Sequence, residues 1–234
     1  MAKYSTELIV HANADNTIAV GSAMLANKGG KQPIPIVVFP GGKDRKPTAL
    51  ATLRRHLEKL DENSRLYVRG HGNATKQTVG GIGWQEWADT LVSCGLKKVG
   101  LISICACRAG QDASVADSTE QLTADDDFRT MGPNGLMFEH AADSFASKFH
   151  RRLGEQGVRT VVYARVFRVI VKQKAGAGFV AGAKTTGANK EGIAHMHHRP
   201  RSKLAYDWKG PLQVRRWVLY GEDAVLAAVA DLLA

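Results

Sequence analysis

Arg65-Leu66-Tyr67-Val68-Arg69-Gly70-His71-Gly72 and Val99-Gly100-Leu101-Ile102-Ser103-Ile104-Cys105-Ala106-Cys107-Arg108-Ala109-Gly110 are the two stretches whose reading decides the fold. Each is a short apolar run that breaks at a glycine-bounded turn, the pattern of a strand buried in a parallel sheet. Between them, Trp84, Trp87, Ala88, Leu91 and Val92 recur at helical spacing, and Gly95 stops the stripe. A strand, a helix and a second strand make a crossover unit, which leaves both carboxyl ends on one edge of the sheet.

The same alternation extends outward. Leu8-Ile9-Val10 reads as a first short strand. Residues 34–39 form an apolar run closed by Pro40-Gly41-Gly42, as expected of a strand buried on both faces. Pro47 opens a helix with Leu50, Leu53, Leu57 and Leu60 on one stripe. Phe138, Ala141, Ala142, Phe145, Phe149 and Leu153 mark the clearest helix, with Arg151 and Arg152 complementing its C-terminal dipole. Residues 160–171 are the next strand. Residues 172–187, rich in Gly, Ala and Lys, suggest a hairpin or flap, followed by a strand over 212–220 and a helix over 224–233. The expected architecture is α/β, a mostly parallel central sheet with helices on both faces. A core over residues 1–171 would carry a basic flap and strand–helix extension over 172–234.

Composition narrows the class. The chain has 234 residues, 44% of them hydrophobic and 23% charged, which excludes wholesale disorder. The longest apolar runs are far too short to cross a bilayer. An acidic residue, Glu7, arrives before any long apolar region, so no Sec signal is expected. Three cysteines, two of them one residue apart, argue for a reducing compartment rather than a disulfide scaffold. The net charge of +10 is unevenly spread. Residues 111–147 hold eight acidic residues against one basic, whereas residues 151–220 hold fifteen basic against three acidic. Such a basic stretch attracts nucleic acid, anionic lipid or a small polyphosphate, or it serves as a solvated face.

Open α/β sheets carry their reactive groups at the carboxyl ends of strands. Here two consecutive strands end in His71 and Cys107, which would face each other across a groove. A thiol of ordinary pKa, about 8.5, is only a few per cent thiolate at neutral pH, so an imidazole neighbour can act as its base. The same imidazole can then protonate a departing amine. The backbone N–H groups of Gly72 and Cys107 are the candidate donors to an acyl oxyanion. Strand alternation puts Cys105 on the same face as Cys107 and does not exclude it. Cys107 is preferred because it lies at the strand's exit, while Cys105 and Cys94 read as small core residues.

A hydrophobic strand ending in His-Gly, followed by one ending in Ala-Cys-x-(small)-Gly, resembles the clan of cysteine endopeptidases that includes caspases, metacaspases, gingipains, legumain, separase and the self-cleaving domains of bacterial toxins. The match rests on Gly70-His71-Gly72 and Ala106-Cys107-Arg108-Ala109-Gly110 and covers the architecture of residues 34–171. It implies a catalytic dyad of Cys107 and His71 acting on a protein or peptide substrate, with no required cofactor. In the layout of a flap after the sheet, the chain is most similar to the toxin self-processing branch, where inositol hexakisphosphate occupies a Lys/Arg pocket and activates the enzyme. The resemblance makes Arg165, Arg168, Lys172, Lys174, Lys184, Arg199, Arg201, Lys203, Arg215 and Arg216 candidate polyanion ligands. It also suggests a cytoplasmic protein, or an effector delivered into a host without a Sec signal.

Three other features have two readings. The acidic run over 112–127 is either a solvated loop or a source of a carboxylate for a specificity pocket. Asp15, after the first strand, is a turn-former, or orients His71 if that strand lies beside the second. His195, His197 and His198 lack a Cys or carboxylate at ligand spacing, so a basic loop is expected there and no metal site. Two rival functions stand beside the peptidase. One is a basic module that binds nucleic acid or polyphosphate, although no helix-turn-helix or stacking-aromatic motif accompanies the charge. The other is a proteolytically inactive scaffold of the same fold. A tyrosine-phosphatase-like loop is excluded because no Arg stands six positions after Cys105 or Cys107.

Overall fold

The computed structural model describes residues 4–12, 15–26, 33–40, 46–116, 141–166 and 203–218. Its strands and helices are β1 (Thr6–His11), α1 (Asn16–Ala26), β2 (Ile36–Val38), α2 (Pro47–Leu57), β3 (Ser64–Arg69), β4 (Gly72–Asn73), β5 (Thr78–Val79), β6 (Ile82–Gly83), α3 (Trp84–Ser93), β7 (Leu101–Cys105), the single turn α4 (Ala113–Ala116), α5 (Phe145–Glu155), β8 (Val161–Arg165), β9 (Lys203–Lys209) and β10 (Leu212–Trp217). Seven strands form one sheet in the order β10-β9-β8-β7-β3-β1-β2. The five from β2 to β8 run parallel, and β9 and β10 continue the sheet antiparallel. A mostly parallel α/β architecture is therefore what the chain adopts.

Local chemistry explains the helix starts. Pro47 begins α2, where a missing N–H is harmless, after an extended Lys46. Ser144 caps α5 by accepting a hydrogen bond from the Ser147 N–H at 3.2 Å. This cap sets the start of α5 later than the apolar stripe suggests: Ala141 and Ala142 lie in a turn before it, Ala141 buried and Ala142 exposed, and Phe138 falls outside the described residues. Leu53 and Leu57 of α2, Trp87 and Leu91 of α3, and Phe145, Phe149 and Leu153 of α5 all enter one core with Leu8, Val10, Leu66, Val68, Ile102 and Ile104 from the sheet. Helix α1 packs on the opposite face, where Ala26 meets Ile9 and Tyr67.

Two elements differ from their sequence reading. The run over 34–39 is not a strand buried on both faces. It gives the short edge strand β2, whose Val37 is buried while Ile36 and Val38 remain 39% and 45% exposed. Residues 72–83, to which the sequence reading assigns no strand, form a second, three-stranded antiparallel sheet, β4-β5-β6. Its hairpin turns on Gly80 and Gly81, both at positive φ, as a two-residue type I′ connection requires. Val79 and Ile82 on either side are buried in the core, and the Trp87 indole N–H donates to the Val79 carbonyl at 2.9 Å.

The connections define a switch point. From β1 the chain moves outward through α1 to the edge strand β2, then returns past β1 through α2 to β3 on the other face. From β3 it continues in the second direction through α3 to β7. The winding thus reverses between β1 and β3. The crevice outside the carboxyl ends of strands at such a reversal is where open α/β sheets bind ligands. The segment over 172–187 and the helix expected over 224–233 lie outside the described residues. No helix among the described residues is long and apolar enough to cross a membrane.

Candidate active site

Three strand ends meet at the switch point. Strand β3 pairs with β1 on one side, His11 opposite Arg69, and with β7 on the other, Arg69 opposite Cys105. His71 and Cys107 each follow two residues later. They thus leave the sheet at the same level on neighbouring strands. The two turns are in contact: a Cβ built on Gly72 would lie 1.9 Å from the Cys107 carbonyl oxygen and 2.9 Å from its nitrogen. Only glycine fits at position 72, and it does so because the Cys107 backbone fills the space of a side chain.

Both turns are held from several sides. The His71 carbonyl accepts the Gly80 N–H at 2.7 Å, which ties the His71 backbone to the small sheet. The turn after Cys107 is fixed by the Gly110 N–H to the Arg165 carbonyl at 2.8 Å and by the Ala146 N–H to the Ala109 carbonyl at 2.9 Å. Arg108, next to Cys107, has φ +51° and is buried. A non-glycine residue in the left-handed region costs on the order of 1 kcal/mol or more and persists only where its surroundings over-determine it. The strained residue adjoins the cysteine at the strand's exit. Cys105, by contrast, ends β7 half-buried against the cluster of Ile9, Ala26 and Tyr67, as a packing residue.

Asp15 makes contacts on both sides. Its Oδ1 accepts the Ile18 N–H at 3.2 Å at the start of α1, and its Oδ2 lies 3.1 Å from His71 Nε2. The condition for the second role, that β1 lies beside β3, is met. Both side chains are open to water, 41% for Asp15 and 59% for His71, so the pair contributes little to stability. With Nε2–H donating to the carboxylate, Nδ1 is the basic nitrogen of the ring.

Two residues of this region were not singled out from sequence. His11, at the end of β1, is buried, and its Nδ1 lies 3.1 Å from Ser22 Oγ of α1. Burial lowers its pKa, Arg69 lowers it further, and Asp15 opposes both. Arg69 is itself only 7% exposed. Burial works against its charge, with Cys105 as the opposing influence. The signal available was alternation: His11 and Arg69 stand in phase with the buried Ile9 and Tyr67.

Of the candidate polyanion ligands, Arg165, Lys203, Arg215 and Arg216 are described. Arg165 is buried at the end of β8 opposite Lys203 of β9, whose ammonium lies 5.4 Å from the Tyr163 ring centroid. Arg216 shares that face and sits 3.7 Å from Asp207, whereas Arg215 registers with Tyr206 on the other face. Arg168, Lys172, Lys174, Lys184, Arg199 and Arg201 lie outside the described residues, as do His195, His197 and His198. Of the acidic run, Asp112 is described: it accepts the Ser114 N–H at 2.9 Å, capping α4. Residues 117–127 are outside. Among the described residues no group of three or more His, Cys, Asp or Glu is placed to hold a metal ion. No protein-family model matches the chain, and no curated protein matches it.

Proposed function

We propose that the chain is a cysteine endopeptidase in which Cys107 is the nucleophile, His71 the proton carrier and Asp15 the residue that orients His71. The observation that carries this reading is the contact of the two turns at the switch point, Gly72 against the Cys107 backbone, with Asp15 on His71 Nε2. Nδ1 of His71 takes the Cys107 thiol proton as sulfur attacks the scissile carbonyl carbon. The tetrahedral oxyanion is met by backbone N–H groups, for which Gly72 and Cys107 remain the candidates. Collapse breaks the C–N bond, the imidazolium gives its proton to the leaving amine, and a thioester remains. Water, deprotonated by the same imidazole, cleaves the thioester and restores the thiol.

Iodoacetamide labelling with peptide mapping tests the pairing. Wild type, Cys107→Ala and His71→Ala are compared at pH 6 and pH 8, alongside hydrolysis of a mixed peptide pool. The expected result is rapid labelling confined to Cys107, slowed in His71→Ala, with peptide hydrolysis lost in both variants. Equal, slow labelling of Cys94, Cys105 and Cys107, indifferent to His71, overturns the reading. A second reading, a polyanion-binding module, is favoured only by the common face of Arg165, Lys203 and Arg216. It requires binding of inositol hexakisphosphate or generic nucleic acid that weakens steeply with salt.

A further inference from the structure

We infer that the open edge of the sheet at β2, with the groove between it and α2, is a docking site for an extended segment of a partner protein that alternates apolar and acidic residues and adds a strand to the sheet. This surface lies beyond β1 from the ends of β3 and β7, and its occupancy does not require Cys107 to be a nucleophile.

Among the described strands, β2 pairs with β1 alone. The Ile9 N–H donates to the Pro35 carbonyl at 2.9 Å and the Phe39 N–H to the His11 carbonyl at 2.7 Å, which turns Pro35, Val37 and Phe39 toward β1. Successive residues of a strand direct their main-chain groups to opposite sides, so the N–H and C=O groups of Ile36 and Val38 point outward, where no described residue bonds them. Folded proteins usually blunt such an edge with charge, proline or a covering element. The opposite edge strand, β10, is blunted in this way by Arg215 and Arg216. Strand β2 is not: its residues are Ile36, Val37 and Val38, and the first and last are exposed.

Charge selects the occupant. A cavity of about 300 Å³ lies along this edge, bounded by residues 36–38 on one side and by Lys46, Thr48 and Thr52 at the start of α2 on the other. Arg55 follows Thr52 by three positions, on the same side of the helix. Arg54 instead donates to the Ser93 carbonyl at the end of α3, and Glu58 lies against Gly95, so both face away from the groove. Lys46 and Arg55 are exposed at its margin, and no carboxylate lines it. A strand laid along β2 sends alternate side chains to opposite faces of the sheet. Those beside Ile36 and Val38 meet apolar surface. Those between them lie level with Val37, on the α2 side, and extend toward Lys46 and Arg55. Main-chain bonds to an open edge supply affinity, and the alternating side chains supply specificity. A second copy of the chain is a poorer occupant, because pairing β2 with itself brings Lys46 and Arg55 of both copies together.

Fluorescence anisotropy with the labelled peptides Val-Glu-Val-Glu-Val and Val-Lys-Val-Lys-Val tests this on the full chain carrying Cys107→Ala, which keeps any peptidase activity from consuming the probe. The acidic peptide is expected to bind at least about tenfold more tightly than the lysine peptide. Lys46→Glu combined with Arg55→Glu should reverse that order at an unchanged melting temperature, since both residues are exposed. Val38→Pro removes one outward N–H at a place where an edge strand accepts proline, and it should weaken the acidic peptide about fivefold or more. Val38→Asp leaves the main chain intact and sets a carboxylate against the added strand, so it should weaken binding on the same scale even where proline disturbs the edge. In amide NMR spectra the signals of Ile36 and Val38 should shift on titration while that of His71 stays in place. Equal binding of the two peptides overturns the proposal. So does binding of the acidic peptide that is unchanged in both Val38 variants, which would leave a basic patch without strand addition. Shifts confined to His71 and its neighbours would place the peptide at the other strand ends and also overturn it. A dimer in sedimentation velocity that Val38→Pro dissolves would make a second copy the occupant, with the same consequence.

Discussion

The two faces of the central sheet are built for different purposes. One is sealed by α2, α3 and α5 over a continuous apolar core that includes Trp87, Phe145, Phe149 and Tyr206, all fully buried. The other has α1 over β1, β2 and β3, with a small cluster of Ile9, Ala26 and Tyr67. Along its length that face carries Glu7, Arg65, Ser103, Arg69, Arg165 and Lys203 among the strands. Arg65 donates to Ser103 Oγ at 2.9 Å and stacks 4.4 Å from the Tyr67 ring centroid, and the Tyr67 hydroxyl donates to Glu7 at 2.8 Å. Stability resides on the first face, while the second face and its carboxyl rim tolerate charge, strain and a buried cation. The division predicts that perturbations of the two faces separate into losses of stability and losses of chemistry.

The largest stability effect expected comes from acid acting on the sealed face. His150 of α5 is fully buried, donates from Nε2 to the Thr160 carbonyl at 2.9 Å, and accepts from Gln213 of β10 at Nδ1 at 2.7 Å. Its ring stacks on Trp208 at 4.6 Å. Burial is the main reason its pKa falls to about 4. The folded state therefore favours neutral imidazole, so this contribution is complete above the unfolded pKa of about 6.5 and is lost as pH falls toward 4. Urea unfolding at pH 7 and pH 4.5 should differ by up to about 3 kcal/mol from this residue. Replacing His150 by Gln should flatten the dependence between pH 6.5 and 4, whatever its effect on absolute stability. An unchanged slope in that variant would show that His150 titrates normally.

On the rim, Gly72→Ala should act on chemistry. Its added methyl meets the backbone of Cys107, which cannot swing aside as a flexible side chain would. Displacing a nucleophile by about 1 Å can reduce turnover about 100-fold, equivalent to about 2.7 kcal/mol. Peptide hydrolysis and Cys107 labelling should both fall on that scale, with near-native far-UV circular dichroism. Full activity in Gly72→Ala would mean that the two turns are not held against each other.

How much of this was legible follows the same division. The helices of the sealed face announce themselves because Leu53 and Leu57, or Phe145, Phe149 and Leu153, repeat at helical spacing. Helix α1 does not: Asn16-Thr17-Ile18-Ala19-Val20-Gly21-Ser22-Ala23-Met24-Leu25-Ala26 mixes small and β-branched residues without a stripe. The edge position of β2 depends on strand order, which an apolar run cannot encode. Strand β9 follows a Gly-, Lys- and His-rich stretch that masks its alternation. His71 and Cys107 were readable because each ends a strand at a glycine turn. The contact between Asp15 and His71 spans 56 residues and exists only because the winding reverses between β1 and β3.

Asp15→Asn sharpens the separation between role and stability. Asn caps a helix start about as well as Asp, so α1 should keep its N-terminal hydrogen bond and stability should change by less than about 1 kcal/mol. The charge facing His71 disappears. An exposed pair contributes about 0.2–1 kcal/mol, so hydrolysis should fall a few-fold. Asp15→Ala should add a loss of roughly 1 kcal/mol from the missing cap. If Asn and Ala reduce activity equally little while only Ala destabilises, Asp15 is a helix cap and no more.

The smallest effect isolates the two faces at adjacent residues of one strand. Val37 and Val38 of β2 differ in little but direction: Val37 enters the core and Val38 faces water. Valine and threonine are nearly isosteric and share a preference for strands, so the substitution Val→Thr exchanges a methyl for a hydroxyl without altering the backbone. At position 37 the hydroxyl enters an apolar environment with Phe39, Leu53 and Leu57 in the same core, and the expected loss is about 1–3 kcal/mol. At position 38 the hydroxyl is hydrated, and the change should lie within about 0.5 kcal/mol of zero. Chemical unfolding of the two variants side by side measures the difference. Equal losses at both positions would mean that the face of β2 opposite the core is also covered, and the edge of the sheet would then no longer be open there.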